Sequence, residues 1–434
     1  MQLTIEKLIY GGDGLARLPA DDHGRGKAVF IPFILEGEKV EASLVEQKKG
    51  FARGRADLIM QPSAHRVAPP CQYFKRCGGC NYQHSDYSHQ LEIKAAILRE
   101  NLRRIAKLEL DVELQTHPSP PWGYRNRSRF SVQFEPHFAL CYHKLNSHQL
   151  LPVEQCPISS PLINRALERT LHLGRAGDLP PGIREIEFFA DADDAALIVE
   201  AYCSADVQMS DANIWMQALQ HRMTEILGVA VFKTGESNSS QGPGKIEQFA
   251  STGETNLTYG TQRASYRVSA GAFFQVNRHL IGELARVVTH GCSGNTALDL
   301  YAGVGLFSSV LSLEFHRVIA VESSPASYAD LQYNSAASLK AVHSTTEQYL
   351  KNVVGKLHPD FVVADPPRAG LNDAVIASLT ALDAPRIAYV SCDPATLARD
   401  LRGLLDSGYS VENAHLVDLF PQTFHIESVF HLVR

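Results

Sequence analysis

The sequence lacks several features that would assign it to a broad class directly. Its 434 residues contain no run of about 18 apolar residues, so we expect no transmembrane helix and no membrane partner. The N-terminus, MQLTIEKLIYGGDG, lacks the basic start, apolar core and cleavage site of a secretory signal. The net charge is −6, so the overall basic composition typical of nucleic-acid-binding proteins is missing. We therefore expect a cytoplasmic protein whose contacts with any polyanion depend on local basic patches.

The length fits two to four domains, and the first of them is predicted to be all-β. Residues 1–60 contain β-rich runs at 27–31, 39–45 and 53–59, separated by Gly- and Pro-bearing turns. One loop and strand of this segment carry a basic patch, which is either a phosphate-binding surface or a solvated charged face. The patch consists of Lys48, Lys49, Arg53 and Arg55.

A long helix is predicted next, over about 84–106. Its apolar side chains are spaced alternately four and three residues apart, which forms one stripe. The stripe consists of Leu91, Ala95, Leu98, Leu102 and Ile105, and the basic residues off it are Lys94, Arg99, Arg103 and Arg104. Residues 119–260 predict mixed, strand-rich structure.

Within that region, residues 124–130 alternate with a period of two. This places Arg125, Arg127 and Arg129 on one strand face, where they form a second candidate phosphate-binding patch. The composition of residues 234–248 predicts a flexible loop.

From about residue 266 the pattern changes to alternating strands and helices. Apolar runs at 297–301, 318–321, 361–364 and 387–390 are each followed by a segment that is compatible with a helix. That rhythm predicts parallel βαβ units and a doubly wound sheet. The expected fold class is therefore α/β, with a Rossmann-like domain preceded by an N-terminal β-barrel and a mixed, β-rich central part.

Two strand ends in the α/β region carry a pattern typical of a methyltransferase cofactor site. The run DLYAGVG, residues 299–305, ends a strand in a Gly-rich turn, and Glu322 ends the following strand. Glycines allow a ligand to approach the backbone, and a carboxylate there suits a ribose diol. The spacing is not G-x-G-x-x-G, so a dinucleotide is disfavoured. Another Rossmann-like ligand is the alternative.

Three further motifs carry reactive side chains. Asp365 begins the stiff turn DPPRAG directly after a strand, where the alternative is a Pro-rich loop that merely ends the strand. Cys392, in VSCDPATLARD, stands between a strand and a helix, and we expect the helix N-terminus to lower its pKa and favour the thiolate. Glu427 ends the polar run DLFPQTFHIE, where a surface glutamate is the alternative.

Cysteine spacing predicts a metal site. Cys71, Cys77 and Cys80 fall within ten residues, and Cys156 stands in the run Gln-Cys-Pro. Clustered cysteines in a cytosolic protein indicate metal binding or catalysis more than disulfides. Four thiolates hold either zinc or a [4Fe–4S] cluster, and the spacing alone does not separate the two.

Together these segments resemble the RNA uracil-5 methyltransferases, and specifically the iron–sulfur, RumA-type branch that acts on 23S rRNA. GGDGLAR and VFIPFILEGEKV resemble a TRAM domain, an OB-like RNA-binding barrel. GAFFQVN resembles the segment beside cofactor and target base, SCDPATLARD the nucleophile motif, and DLFPQTFHIE the motif that ends in the general base. The resemblance covers essentially the whole chain.

The resemblance implies a role for each motif residue. Cys392 is expected to add to carbon 6 of uracil, and Glu427 to remove the proton from carbon 5. S-adenosyl-L-methionine would be held by Gln275, Tyr301, Glu322 and Asp365. A [4Fe–4S] cluster would be held by Cys71, Cys77, Cys80 and Cys156. Phe273 is a candidate stacking platform for a flipped base, with a core aromatic as the alternative.

The resemblance also implies a division of the chain. Residues 1–60 would form the TRAM domain. The central iron–sulfur and RNA-binding domain would comprise 61–83 and 119–265, and the methyltransferase domain 84–118 and 266–434. We expect a monomer.

Three residues depart from the family pattern. Ala302 and Leu306 stand where the rRNA enzymes have cysteine and asparagine, so no cofactor contact is assigned to Leu306. Asp393 follows the nucleophile where asparagine is usual, which leaves the cysteine in place but changes its hydrogen-bonding surroundings.

The expected RNA partner is 23S rRNA, because the TRAM module and the four cysteines favour it. The tRNA T-loop is the alternative, since iron–sulfur relatives that act on tRNA are known. RNA cytosine-5 methyltransferases also use a thiolate but lack the DLFPQTFHIE ending. A rival from another class is a non-catalytic, RNA-binding iron–sulfur protein, against which Cys392 and Glu427 argue.

Overall fold

The computed structural model describes residues 1–19, 26–179, 181–235 and 246–434. The first six strands form one sheet in the order β1-β5-β6-β4-β3-β2. They are β1 (Gln2–Thr4), β2 (Lys7–Leu8), β3 (Asp13–Arg17), β4 (Ala28–Pro32), β5 (Lys39–Gln47) and β6 (Phe51–Gln61). Since β1 pairs with β5 and β2 pairs with β3, the N-terminal segment joins the two edges and closes the sheet. The predicted N-terminal barrel is confirmed.

The predicted long helix is α1 (Tyr87–Asn101), which continues as a π-helical turn at Leu102–Ala106. The wider π turn shifts the phase of the apolar stripe, so Ile105 is exposed, contrary to the prediction. Lys94 was predicted off the stripe but is completely buried, because its ammonium pairs with Asp418. Strand β7 (Leu114–His117) follows.

The central sheet has seven strands in the order β10-β9-β8-β11-β12-β13-β14, with two helices packed on one face. Its elements are β8 (Arg127–Gln133), β9 (Ala139–His143), β10 (Leu150–Pro152), α2 (Pro161–Ala176), β11 (Ile183–Ala190), β12 (Leu197–Cys203), α3 (Met209–Arg222), β13 (Ile226–Thr234) and β14 (Ile246–Gly253). The predicted alternation at 124–130 is confirmed, since the residues between the arginines are buried. Of the predicted loop at 234–248, Thr234 and 246–248 belong to strands, and 236–245 lie outside the described residues.

A hairpin, β15 (Asn256–Gly260) and β16 (Ser265–Ser269), leads into the predicted α/β region. The elements that follow are α4 (Ile281–Val288), β17 (Gly294–Leu300), α5 (Leu306–Leu311), β18 (Phe315–Glu322), α6 (Pro325–Asn334), β19 (Leu339–His343), α7 (Thr346–Val353), β20 (Phe361–Ala364), α8 (Asp373–Leu382), β21 (Arg386–Ser391), α9 (Pro394–Asp406), β22 (Ser410–Val417) and β23 (Glu427–Val433). Buried apolar clusters lie on both faces of the resulting sheet. The predicted doubly wound architecture is confirmed.

That sheet runs in the order β19-β18-β17-β20-β21-β23-β22-β7. The first five strands are parallel, β23 is antiparallel to β21, and β7 joins the far edge beside β22. The order in which successive strands are added to the sheet reverses at β17, because β18 and β19 lie on one side of it and β20 and β21 on the other. Ligands bind open α/β sheets at the carboxyl ends of the strands beside such a reversal.

Within the described ranges, no helix has the length and hydropathy needed to cross a bilayer. The division of the chain into three domains stays a prediction.

Candidate active site

The predicted site residues meet at the carboxyl edge of the parallel strands. Tyr301 directly follows β17, Glu322 ends β18, Asp365 follows β20 and Cys392 follows β21. They line one cavity of about 500 Å³. The predicted residues in its wall are Phe273, Gln275, Tyr301, Glu322, Asp365, Cys392 and Glu427. A larger cleft of about 690 Å³ lies between α4 and the β15–β16 hairpin and contains none of them.

Sheet register brings the two predicted catalytic residues to the same cavity. Strands β21 and β23 are antiparallel, with Ser391 opposite Ser428. The chain continues from this pair to Cys392 on one strand and to Glu427 on the other, and both residues line the cavity. Glu427 is only 5% exposed, which excludes the alternative of a surface glutamate.

The thiol of Cys392 has a pKa of about 11 in this pocket. Burial is the main cause, Glu427 and Asp365 act in the same direction, and Arg368 opposes them. The predicted lowering of this pKa is therefore wrong. The amides at the start of α9 bind Asp393 instead, whose Oδ1 accepts hydrogen bonds from the backbone N–H of Ala395 and Thr396, both at 2.9 Å.

Two carboxyl groups share the pocket with this thiol. Burial raises the pKa of Asp365 to about 7. Burial also holds the pKa of Glu427 well above its usual range, with Asp365 adding to the effect and Arg368 opposing it. Neighbouring buried carboxyl groups resist ionising together, so the pair titrates as a unit. A carboxylate with a raised pKa is a stronger base than an exposed one, which suits a general base.

The Gly-rich turn after β17 is tied to the end of β18. The Glu322 carboxylate accepts hydrogen bonds from the backbone N–H of Gly303 at 2.8 Å and of Ser324 at 2.6 Å. Tyr301 has φ +62° and Gly303 φ +56°, the left-handed region that lets the chain turn sharply here. Leu306 presents an apolar side chain to the cavity.

Phe273 stands at the rim between this cavity and a neighbouring cleft. Its side chain is 66% exposed, which excludes the alternative of a core aromatic. Two hydrogen bonds hold the backbone just before Phe273. The Arg127 guanidinium donates to the Ala272 carbonyl, and the Gly271 N–H donates to the Glu200 carboxylate. The cleft, of about 510 Å³, also contains the arginine face of the central sheet.

The N-terminal barrel touches the turn that carries the cysteine. The Tyr10 hydroxyl donates to the Cys392 carbonyl at 3.3 Å, and its ring meets Phe424 edge to face, with centroids 5.3 Å apart. No sequence signal indicates this contact, because it joins residues separated by 382 positions. Arg368 was also missed as a site residue, although it stands in the quoted DPPRAG motif.

A buried ion pair supports the loop that leads to Glu427. The Lys94 ammonium donates to Asp418 at 2.6 Å and to the Phe420 carbonyl at 2.9 Å. Phe420 and His425, from the same loop, line the active-site cavity, and burial lowers the pKa of His425 to about 4. His425 is therefore neutral at pH 7.

The four predicted metal ligands line a separate small cavity. Cys71, Cys77, Cys80 and Cys156 all face it as free thiols, together with aromatic side chains. Burial holds the pKa of Cys80 far above its usual range, and the other three thiols add to the effect. In the part of the chain that the structure describes, no group of His, Cys, Asp or Glu is arranged to hold a metal ion.

Most cations of the two predicted basic patches are paired with carboxylates. Arg127 binds Glu187 and Glu200, and its guanidinium is largely buried. On the barrel, Arg55 pairs with Asp57 at 3.0 Å. The charge of Arg127 is therefore already balanced within the protein, and the role of the two patches in phosphate binding stays a prediction.

The sheet order and the cofactor-edge cavity define an enzyme of the α/β methyltransferase class. The sequence profile described as tRNA (Uracil-5-)-methyltransferase matches residues 86–434, and the TRAM domain profile matches residues 1–56. The chain belongs to the uracil-5 RNA methyltransferase family.

Known relatives match along the whole chain. An RNA methyltransferase of Gloeobacter violaceus is 32% identical over 100% of this chain and 96% of its own. One from Aquifex aeolicus is 30% identical over 99% and 97%. The tRNA (uracil-54, C5)-methyltransferase of Pyrococcus abyssi, solved with S-adenosyl-L-homocysteine, superposes over 100% of both chains with a TM-score of 0.76 and 23% identity. That likeness shows the fold.

Proposed function

We propose that this enzyme forms 5-methyluridine in RNA, with Cys392 as nucleophile and Glu427 as the base that releases the product. The observation that carries the proposal is that these two residues, at adjoining ends of the paired strands β21 and β23, line one cavity at the cofactor edge. The chemistry needs one thiol and one base at the same pyrimidine ring, and the cavity contains both.

The residues divide the reaction between them. Asp365, whose pKa is raised by burial, takes the proton of the Cys392 thiol, and the thiolate adds to carbon 6 of the uracil, which makes carbon 5 nucleophilic. S-adenosyl-L-methionine, when bound, supplies a methyl group on a sulfonium. After carbon 5 is methylated, Glu427 removes its remaining proton, the bond from Cys392 to carbon 6 breaks, and the thiolate leaves. Phe273 stacks on the base that is flipped out of the RNA.

The cavity fits S-adenosyl-L-methionine. Glu322 retains free carboxylate lone pairs for a ribose diol, although three backbone N–H groups already donate to it. Gln275 and Tyr301 stand at the other walls, and Asp365 provides a carboxyl group beside Cys392. We assign these four residues to cofactor binding.

Four free thiols share the cysteine cavity, which is the ligand set of zinc and of a [4Fe–4S] cluster alike. A tetrahedral zinc ion holds its thiolates about 2.3 Å from one centre, which places the sulfur atoms about 3.8 Å apart. A cluster binds each thiolate to a different iron and so spaces them further apart. The four thiols supply the ligand set, and the resemblance to the iron–sulfur branch favours the cluster over zinc. We assign Cys71, Cys77, Cys80 and Cys156 as its ligands.

We propose 23S rRNA as the substrate, on the combination of a TRAM barrel and four clustered cysteines. The tRNA T-loop is the second candidate, supported by the family's description and by the full-length likeness to an enzyme whose title names tRNA uracil 54. We further propose that the enzyme acts in the cytoplasm as a monomer.

The test is direct. Purified enzyme is incubated with radiolabelled S-adenosyl-L-methionine and either 23S rRNA or tRNA, both taken from a strain that lacks the gene. We expect 5-methyluridine in the rRNA, and Cys392→Ala enzyme as the control transfers nothing. Label in tRNA alone would assign the second substrate, and label on cytosine would overturn the proposal.

A further inference from the structure

A residue of the N-terminal barrel reaches the active site through the turn between β2 and β3. The turn is closed by the Ile9 N–H, which donates to the Asp13 carbonyl at 2.9 Å. It lies tightly against the rest of the chain, because a Cβ atom at Gly12 would stand only 2.8 Å from the Cβ atom of Asn81. Tyr10 occupies the tip of this turn and is therefore held in a fixed place.

The hydroxyl of Tyr10 contacts the turn that carries the proposed nucleophile. It donates to the Cys392 carbonyl at 3.3 Å, and the Asp393 carboxylate is a second acceptor beside it. Burial raises the pKa of Tyr10 above its ordinary value, and Asp393 and Cys392 act in the same direction, so the phenol stays protonated and remains a donor. Since the accepting carbonyl is bonded to the Cα atom of Cys392, the hydrogen bond restricts backbone rotation at the nucleophile.

The ring of Tyr10 contacts the loop that leads to the proposed base. It packs edge to face on Phe424, with centroids 5.3 Å apart. The Phe424 ring in turn lies against the His425 ring, with centroids 4.3 Å apart, and His425 lines the active-site cavity shortly before Glu427. Tyr10 does not itself line this cavity, so it acts through these residues and not on the substrate.

We propose that Tyr10 is a positioning residue that links the N-terminal barrel to catalysis, fixing Cys392 through its hydroxyl and the approach to Glu427 through its ring. This inference rests on the proposed covalent mechanism. Thiolate addition and proton removal take place at adjacent carbons of one pyrimidine ring, so the two side chains must keep a fixed relation to each other. A misplacement of about 1 Å costs a reaction on the order of a hundredfold in rate, so a residue that holds both has a measurable effect.

The two contacts of Tyr10 predict two separable effects. Tyr10→Phe keeps the ring and removes only the hydroxyl, so it should slow the addition of Cys392 and leave product release unchanged. Tyr10→Leu removes the hydroxyl and the aromatic contact with Phe424, so it should slow both steps. Because Tyr10 stands outside the cavity, neither substitution should change the affinity for RNA or cofactor.

The test separates the two steps in the full-length enzyme. The rate of adduct formation with 5-fluorouridine RNA measures addition, and rapid-quench analysis of ordinary RNA measures release of methylated product from Cys392. For Tyr10→Phe we expect addition and kcat to fall about three- to tenfold, the range for one neutral hydrogen bond, with unchanged KM for RNA and cofactor. For Tyr10→Leu we expect release to slow as well, by about three- to tenfold, the range for one aromatic pair.

Tyr82→Phe is the matched control. Tyr82 is buried near the same turn, and its backbone N–H donates to the Gln422 carbonyl of the loop that leads to Glu427. Its hydroxyl makes no hydrogen bond with any residue that the structure describes. Removing that hydroxyl should therefore leave both rates at the wild-type value.

Each outcome decides the inference. A wild-type rate of addition in Tyr10→Phe enzyme overturns it, and so does a loss that appears only in KM for RNA, which would make Tyr10 an RNA contact. An equal loss in Tyr82→Phe would assign the effect to packing in general and overturn it too. If Tyr10→Leu does not fold, as judged by its melting temperature, Tyr10→Phe decides alone. Wild-type enzyme that transfers no methyl group to RNA would refute the proposed function, whereas active wild type with normal Tyr10→Phe refutes this inference only.

Discussion

The protonation state of Cys392 is the feature in which the structure differs most from the sequence-based expectation, and it is directly measurable. With a pKa of about 11, only about one Cys392 in 10,000 is a thiolate at pH 7. An unperturbed cysteine, with a pKa near 8.5, is about 3% ionised. Ionisation alone therefore slows alkylation of Cys392 about 300-fold. The greater intrinsic nucleophilicity of a more basic thiolate restores roughly tenfold of this, which leaves a net effect of about 30-fold.

The assay is alkylation by iodoacetamide across pH 6 to about 11, followed by mass spectrometry of the Cys392 peptide. Because the pKa is raised, the rate should climb about tenfold per pH unit until it levels off near pH 11. Glu427→Gln removes one carboxyl group that raises this pKa, so its curve should move to lower pH. Glu412→Gln, on the neighbouring strand β22 but remote from the cavity, should not move it. A Cys392 curve that levels off below about pH 8 would refute the reasoning and restore activation by the helix N-terminus.

Three further outcomes follow from the site. Glu427→Gln enzyme should methylate once and then accumulate RNA attached to Cys392, seen as a band that survives denaturing electrophoresis. The reason is that only the release step needs Glu427 as a base. Normal turnover of this variant would remove Glu427 from that role. Cys392→Ala should lose methylation and the adduct with 5-fluorouridine RNA while its melting temperature stays unchanged, and residual turnover would contradict a covalent mechanism. Lys94→Met leaves the charge of Asp418 buried and unpaired, so urea unfolding should show a loss of about 3–5 kcal/mol. Lys94→Met combined with Asp418→Leu should recover much of that loss, and an equally unstable double variant would mean that packing, rather than charge, is responsible.

Sequence patterns correctly predicted the strands and helices whose formation depends on residues close together in the chain. Strand runs such as 361–364 coincide with β20, because a buried parallel strand needs a continuous apolar stretch bounded by turns. The same patterns placed Asp365 and Cys392 after neighbouring strands. Parallel strands end at a common edge, so the sequence was sufficient to bring these residues into one cavity.

The sequence by itself therefore determined the barrel, the doubly wound sheet and the identity of the residues at its cofactor edge. It did not determine their electrostatics, because the pKa of Cys392 depends on burial and on Glu427, which comes from a strand antiparallel to the others. It also placed Lys94 off the apolar stripe of the helix and did not predict its burial, since its partner Asp418 lies 324 residues away. Helix and strand periodicity arises from neighbours within a few positions and is written in the local sequence. Charge balance and pKa arise from groups that only the folded chain brings together.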